Sequence, residues 1–191
     1  MYLGRYKMRV ISGIARGTNL ETLDGNNTRP TLDRVKEALF NIIQYYIVDA
    51  KVLDLFSGSG ALGIEALSRG AEYCVMCDKS YEAIEIINKN IRRTHLEEKA
   101  KIIRNDYKKT LELLKGQKFD VIFIDPPYAL DIAVDSIKHI MALEILEDDG
   151  IIILESDNEK RELENLEKLN VNVYDLRKYG RVTLIFLDRK G

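Results

Sequence analysis

From Lys51 onward the sequence alternates short apolar runs with helical stretches, and this rhythm predicts a doubly wound α/β fold on a mostly parallel sheet. Two of the runs, Val121-Ile122-Phe123-Ile124 and Ile151-Ile152-Ile153-Leu154, are apolar at every position, as strands covered on both faces must be. The end of the chain adds an antiparallel hairpin, 171–176 and 181–187 around Lys178-Tyr179-Gly180. With 191 residues, 46% of them hydrophobic and 31% charged, the chain is expected to form one domain with a single core.

The elements follow in order. Residues 9–23 alternate loosely around Gly13 and Gly17, which predicts a hairpin of strands at 9–12 and 18–23. Thr28-Arg29-Pro30-Thr31 then precedes a helix with Asp33 in its first turn and Val35, Leu39, Ile42, Ile43 and Tyr46 on one face. Strands are expected at 51–55, 72–77, 101–105, 119–124 and 150–155, and helices at 60–69, 80–94, 107–115, 131–143 and 159–168. The domain therefore divides into an appendage, 8–46, and a Rossmann-like core, 47–191.

The formal net charge is −2, which does not by itself point to a nucleic-acid partner. Its distribution is uneven. Residues 1–20 hold Arg5, Lys7, Arg9 and Arg16 and no acid, and the tail from Arg177 holds five basic residues against Asp188. Arg9 and Arg16 are therefore the candidate phosphate contacts, with two solvated termini as the plainer alternative. No apolar run is long enough for a membrane span, and the first residues lack the apolar core of a signal peptide, so the cytoplasm is expected. Cys74-Val75-Met76-Cys77 has redox or metal-site spacing. On a strand, however, positions i and i+3 face opposite ways, so two buried core thiols and no metal are expected.

In an open α/β sheet, ligands bind outside the carboxyl ends of the strands. The first four strands of the core end at Asp54, Asp78, Asn105-Asp106 and Asp125, all on one edge. One such Asp is often only a helix cap; four together mark a site. The turn Phe56-Ser57-Gly58-Ser59-Gly60-Ala61-Leu62-Gly63 carries glycines at the spacing of a dinucleotide-binding turn, which alone leaves NAD and S-adenosylmethionine (SAM) both open. Two details favour SAM. Asp54 stands just before the turn, where a cationic amine needs an anion, and the helix behind Gly60 offers N–H groups to a carboxylate. The methionine end of SAM carries both charges. Asp78 is placed to accept the ribose hydroxyls of either cofactor.

Asp125-Pro126-Pro127-Tyr128 decides for methyl transfer. Proline has no N–H, so this stretch cannot pair as an ordinary strand and its carbonyls are free to meet a ligand. An exocyclic nucleobase amine is a poor nucleophile because its lone pair is delocalised into the ring. The Asp125 carboxylate and the Pro126 carbonyl can each accept one amine N–H, aligning the nitrogen and localising its lone pair. The amine becomes acidic as it is alkylated, so a carboxylate of pKa about 4 suffices to take the proton. Tyr128 offers a stacking face for an extruded base.

These motifs resemble the class I amino-methyltransferases and, more closely, the RsmD-type 16S ribosomal RNA guanine-N2 methyltransferases. The resemblance runs through Arg9-Val10-Ile11-Ser12-Gly13, Arg16-Gly17, Thr28–Asn41, Leu53–Arg69 and Asp125–Tyr128, with Ser57 where the family often has Ala and Tyr128 where it often has Phe. It implies SAM-dependent methylation of a guanine N2 amine in small-subunit rRNA, free or within the assembled subunit, by a monomer needing no membrane. It also sets Arg29 and Thr31 near the methionine end of SAM, although from the residues alone Arg29 is equally a solvated residue before a helix. The expected cofactor set is thus Arg29, Thr31, Asp54, Phe56, Ser57, Gly58, Gly60, Asp78, Asn105 and Asp106. The expected catalytic set is Asp125, Pro126, Pro127 and Tyr128. The rivals are an N6-adenine methyltransferase, which usually carries a separate recognition domain, a nicotinamide dehydrogenase, and a non-catalytic SAM- or RNA-binding module.

Overall fold

A computed structural model of the chain describes residues 8–23, 30–126 and 132–190. Seven strands form one sheet: β1 Lys51–Asp54, β2 Tyr73–Asp78, β3 Ala100–Arg104, β4 Phe119–Ile124, β5 Leu146–Ser156, β6 Val171–Tyr179 and β7 Val182–Arg189. Their order is β3-β2-β1-β4-β5-β7-β6, parallel from β3 to β5, with β7 antiparallel to both β5 and β6. The helices are α1 Pro30–Ile42, α2 Ala61–Ser68, α3 Tyr81–Thr94, α4 Tyr107–Leu113, α5 Ile132–Ala142 and α6 Glu159–Leu166. The expected doubly wound sheet with a C-terminal antiparallel hairpin is what forms.

Alternate residues of each strand serve opposite faces. Val52, Cys74, Met76, Val121, Phe123, Ile151, Ile153, Leu184 and Phe186 pack with α1, α2, α3 and the N-terminal segment. Leu53, Val75, Ile122, Ile124, Ile152, Leu154, Ile185 and Leu187 pack with α4, α5 and α6. The two cysteines are free and buried, and the Cys77 thiol meets the Thr110 hydroxyl on α4, at 2.9 Å, on the face that Cys74 does not use. Burial raises both thiols above their ordinary pKa, Cys77 to about 11, so neither is a nucleophile.

Three elements differ from expectation. The N-terminal hairpin contains no regular strands: Arg9 and Asn19 form a single bridge, supported by Val10 N–H to Thr18 O and Leu20 N–H to Met8 O. A ladder cannot lengthen because the Ile11 and Ser12 N–H groups donate to the Glu65 carboxylate instead, at 2.8 and 3.0 Å. Helix α1 stops at Ile42, so Tyr46 falls in a 3₁₀ turn, Gln44–Tyr46, and is 44% exposed rather than on the buried face. Strand β5 begins at Leu146, ahead of the expected start at 150, and takes in an acidic stretch. It is admitted by a register shift on β4 between Phe119 and Val121, beside Gly150, where a Cβ would lie 2.8 Å from the Leu146 side chain.

Candidate active site

Strands β1 and β4 are neighbours in the sheet though not in sequence, so the direction of winding reverses between them, which is where an open α/β sheet binds ligands. The register sets the acids there. Asp54 aligns with Phe123 on one side and Met76 on the other, so Asp125 and Asp78 each lie just past a partner of Asp54. Ile124 aligns with Leu154, which brings Glu155 alongside Asp125. Sequence reading stopped at four strand-end acids; Glu155, at the end of the fifth strand, was visible by the same rule.

Asp54 is 2% exposed, and its Oδ2 accepts the Gly63 N–H at 3.1 Å. Helix α2 has no side-chain cap at its own N-cap, Gly60, so Asp54 supplies an acceptor from the neighbouring strand. Burial raises the Asp54 pKa to about 7, against the Gly63 and Ser57 hydrogen bonds that lower it, with Asp78 adding like-charge repulsion. The turn between β1 and α2 is held from within. The Ser57 hydroxyl donates to Asp54 O at 2.7 Å, Gly60 N–H to Ser57 O at 2.6 Å, and Ser57 N–H to Cys77 O at 2.9 Å. Gly58 and Gly60 have φ of +53° and +79°, which a side chain would strain, and a Cβ on Gly58 would enter open space. Gly63 lies against β2, where a Cβ would come within 2.8 Å of Met76 Cγ.

The Asp78 carboxylate accepts Gly58 N–H at Oδ2 and Ser80 N–H at Oδ1, both at 2.9 Å. It therefore braces the turn, and each oxygen keeps a lone pair for a hydroxyl donor. Asn105 donates its N–H to Asp78 O, following β3 to the same edge. Asp106 is the N-cap of α4, accepting Lys109 N–H at 3.0 Å, and that bond holds its pKa below the usual carboxylate value. Phe56 stacks at a tilt on Tyr107, centroids 5.7 Å apart, and Tyr107 donates to Asp135 on α5 at 2.6 Å.

Asp125 corrects one expectation. Its pKa is not that of an ordinary carboxyl: burial raises it well above, and the nearby Glu155 and Asp54 carboxylates raise it further. Pro126 is buried beside it. Pro127, Tyr128 and Arg29 lie outside the described residues; Thr31 is in the first turn of α1, with only its backbone described.

Arg9 and Arg16 are both exposed. The loop tip bearing Arg16 rests on the far end of α2, where Ile14 N–H donates to Ser68 O and Ala15 N–H to Ser68 Oγ. Sequence reading missed what docks this loop. Glu65, fully buried on α2, accepts Ile11 and Ser12 N–H, Arg69 Nε at 2.8 Å and Lys36 Nζ at 3.2 Å, while Lys36 Nζ also donates to Arg9 O at 2.7 Å. Arg69 lies over the Phe40 ring at 4.9 Å. A buried Glu in a helix whose i+4 neighbour is Arg is a weak signal, and nothing in the sequence joins it to Ile11. Among the described residues no cluster could hold a metal ion, and no helix is long and apolar enough to cross a membrane.

Comparison with known proteins adds three relatives. YlbH of Bacillus subtilis, to which an rRNA methyltransferase activity is ascribed, is 42% identical over 80% of this chain and 84% of its own. Ribosomal RNA small subunit methyltransferase D of Haemophilus influenzae is 35% identical over 81% of each chain. The structure of yhhF from Escherichia coli, to which a methyltransferase activity is ascribed, superposes with a TM-score of 0.81 at 29% identity, covering 97% of this chain and 99% of its own. The fold is that of the class I methyltransferases. Residues 8–188 match the model of the family described as conserved hypothetical protein 95, and the chain belongs to that family.

Proposed function

We propose that this protein is an rRNA methyltransferase that transfers a methyl group from SAM to the exocyclic N2 amine of a guanine in small-subunit ribosomal RNA. The observation that carries the reading is the trio Asp54, Asp78 and Asp125 around the glycine turn at the β1/β4 switch point, in a chain whose relatives are named for rRNA methylation. The choice of guanine N2 rests on the resemblance to the RsmD-type enzymes. The residues fit the donor: the open space at Gly58, the N-terminal end of α2 and two flanking carboxylates match a ligand with an ammonium, a carboxylate and a ribose diol.

When bound, SAM supplies an electrophilic methyl group. Ionised Asp54 attracts the donor's ammonium, and Asp78 accepts from the ribose while holding the Gly58 N–H. Asn105 and Asp106 border the same edge, with Phe56 as an apolar wall. Arg29 and Thr31 serve the methionine carboxylate in this scheme. Asp125 and the Pro126 carbonyl each accept one N–H of the target amine, and Tyr128 stacks on the base, followed in sequence by α5. Burial and the neighbouring Glu155 and Asp54 carboxylates raise the Asp125 pKa, which makes its carboxylate a stronger base for its second task. As the nitrogen gained the methyl group, the donor's C–S bond would break to leave a neutral thioether, and one amine proton would pass to the Asp125 oxygen that held it. Arg9 and Arg16 contact RNA phosphates.

The test is nucleoside mass spectrometry of rRNA and small subunits incubated with the protein and labelled SAM. N2-methylguanosine is expected, and N6-methyladenosine would overturn the substrate. The Asp125→Ala variant should lose at least about 100-fold in rate while still binding SAM. A tenth of the rate remaining would remove Asp125 from the mechanism.

A further inference from the structure

Asn90 lies in the middle of α3, is completely buried, and is absent from every role above. Its amide is fully engaged. Oδ1 accepts the Glu21 N–H at 2.8 Å, and Nδ2 donates to both Glu21 O and Ser59 O, each at 2.9 Å. Asparagine alone among side chains of this size offers one acceptor and two donors from a single planar group. Asp would put a buried charge before two carbonyls, and Leu would leave three backbone groups unpaired.

Its partners belong to two segments distant in sequence, the N-terminal segment and the glycine turn. Ser59 sits between Gly58 and Gly60 in the turn assigned to the donor, and its hydroxyl reaches Met8 Sδ at 3.7 Å. Glu21 closes the N-terminal segment and leads, in chain order, to Thr28-Arg29-Pro30-Thr31. The Glu21 side chain is held by the same helix, through Arg93 Nη2 at 2.6 Å and Lys89 Nζ at 3.9 Å, and Arg93 Nη1 donates to Asn19 O at 3.1 Å. Helix α3 thus grips Glu21 at its exposed side chain and at its buried backbone, and the buried grip is shared with the donor turn.

Resting on the SAM reading above, we infer that Asn90 is a positioning residue that locks the glycine turn and the N-terminal segment into one register, so that donor binding and docking of that segment are coupled. A ligand that orders the turn at Ser59 orders Glu21 through the same amide, and loosening Glu21 loosens the turn. Coupling of this kind is reciprocal.

Two measurements test it. In the wild-type protein, saturating SAM should slow hydrogen exchange at the Glu21 amide, although Glu21 is given no contact with the donor; unchanged exchange there would overturn the coupling. In Asn90→Ala, which removes all three of these bonds, the KM for SAM should rise roughly tenfold, with kcat at saturating SAM altered far less. A folded variant with unchanged KM, or one losing kcat at unchanged KM, would overturn it too. If the variant does not fold, the exchange measurement on the wild type still decides. Wild-type protein that binds no SAM in calorimetry would refute the donor assignment itself, a different result from SAM binding that leaves Glu21 unprotected.

Discussion

Replacing Glu65 with Gln removes one charge and almost no volume from the node that docks the N-terminal segment. The carboxylate accepts from two backbone N–H groups, one guanidinium and one ammonium, with no solvent exposure. An amide in its place has one acceptor oxygen, and its NH2 must face donors, so at least one partner loses its bond and Lys36 and Arg69 lose their counter-charge. Hydrogen bonds to charged groups are worth about 1.5–3 kcal/mol each, but they are not additive here, because they share one anion. The better guide is the cost of breaking a buried ion pair by removing one partner, about 3–5 kcal/mol. For a chain of this length each kcal/mol moves the melting midpoint roughly 2–4 °C, which gives a fall of about 6–20 °C. Lys36 should reinforce the effect: burial already lowers its pKa, and Glu65, more than Asp33, opposes that shift. The assay is thermal unfolding by circular dichroism with amide exchange at Ile11 and Ser12, where protection should collapse. A midpoint within about 2 °C of wild type for Glu65→Gln would refute the node as the anchor of the segment.

Three further outcomes are expected. With the pKa of Asp54 at about 7 and ionised Asp54 required for the donor's ammonium, SAM should bind about tenfold more weakly at pH 6 than at pH 8 in calorimetry, and Asp54→Asn should lose that dependence. The stability term has the opposite sign. A raised carboxyl pKa stabilises the fold fully below about pH 4, and that contribution is lost as the pH rises to about 7. Affinity flat from pH 6 to 8 would dismiss the charge argument. Gly63→Ala should destabilise by about 1–3 kcal/mol in chemical denaturation, because its Cβ would lie 2.8 Å from Met76 Cγ and 2.9 Å from Cys74 Sγ. An unchanged midpoint would mean that β2 yields freely there. Replacing Arg9 and Arg16 together with Ala should flatten the log–log salt dependence of RNA binding by about 1.4–1.8, and an unaltered slope would reduce the loop to a structural role.

The core was legible because its signals are local. Most of the parallel strands are short apolar runs, with an acid or amide at or just past the end, so Asp54, Asp78, Asn105 and Asp125 could be set on one edge from sequence. What stayed hidden depends on contacts distant in sequence. The Ile11 and Ser12 amides look like hairpin donors until Glu65, more than fifty positions later, is folded against them. Asp106 could be either a cap or a ligand, and its bond to Lys109 N–H fills the capping role. The elevated pKa of Asp125 arises first from burial and then from the Glu155 and Asp54 carboxylates, on strands far apart in the chain. Tyr46 continued the apolar periodicity of α1, but periodicity does not say where a helix stops.

The bonds between the N-terminal loop and α2 span 53 to 56 positions of chain. On the ribosome, residues 8–20 therefore leave the tunnel long before the surface they need. At roughly 5–20 residues per second, several seconds pass before Glu65, Ser68 and Arg69 follow them out. During that interval Val10, Ala15 and Leu20, all buried in the finished fold, have no partner. Closing so long a loop is entropically unrewarded until α2 has formed against β1 and β2. A segment made well before α2 is thus among those that settle late, and its basic residues travel beside the very class of polymer that its relatives are named for modifying.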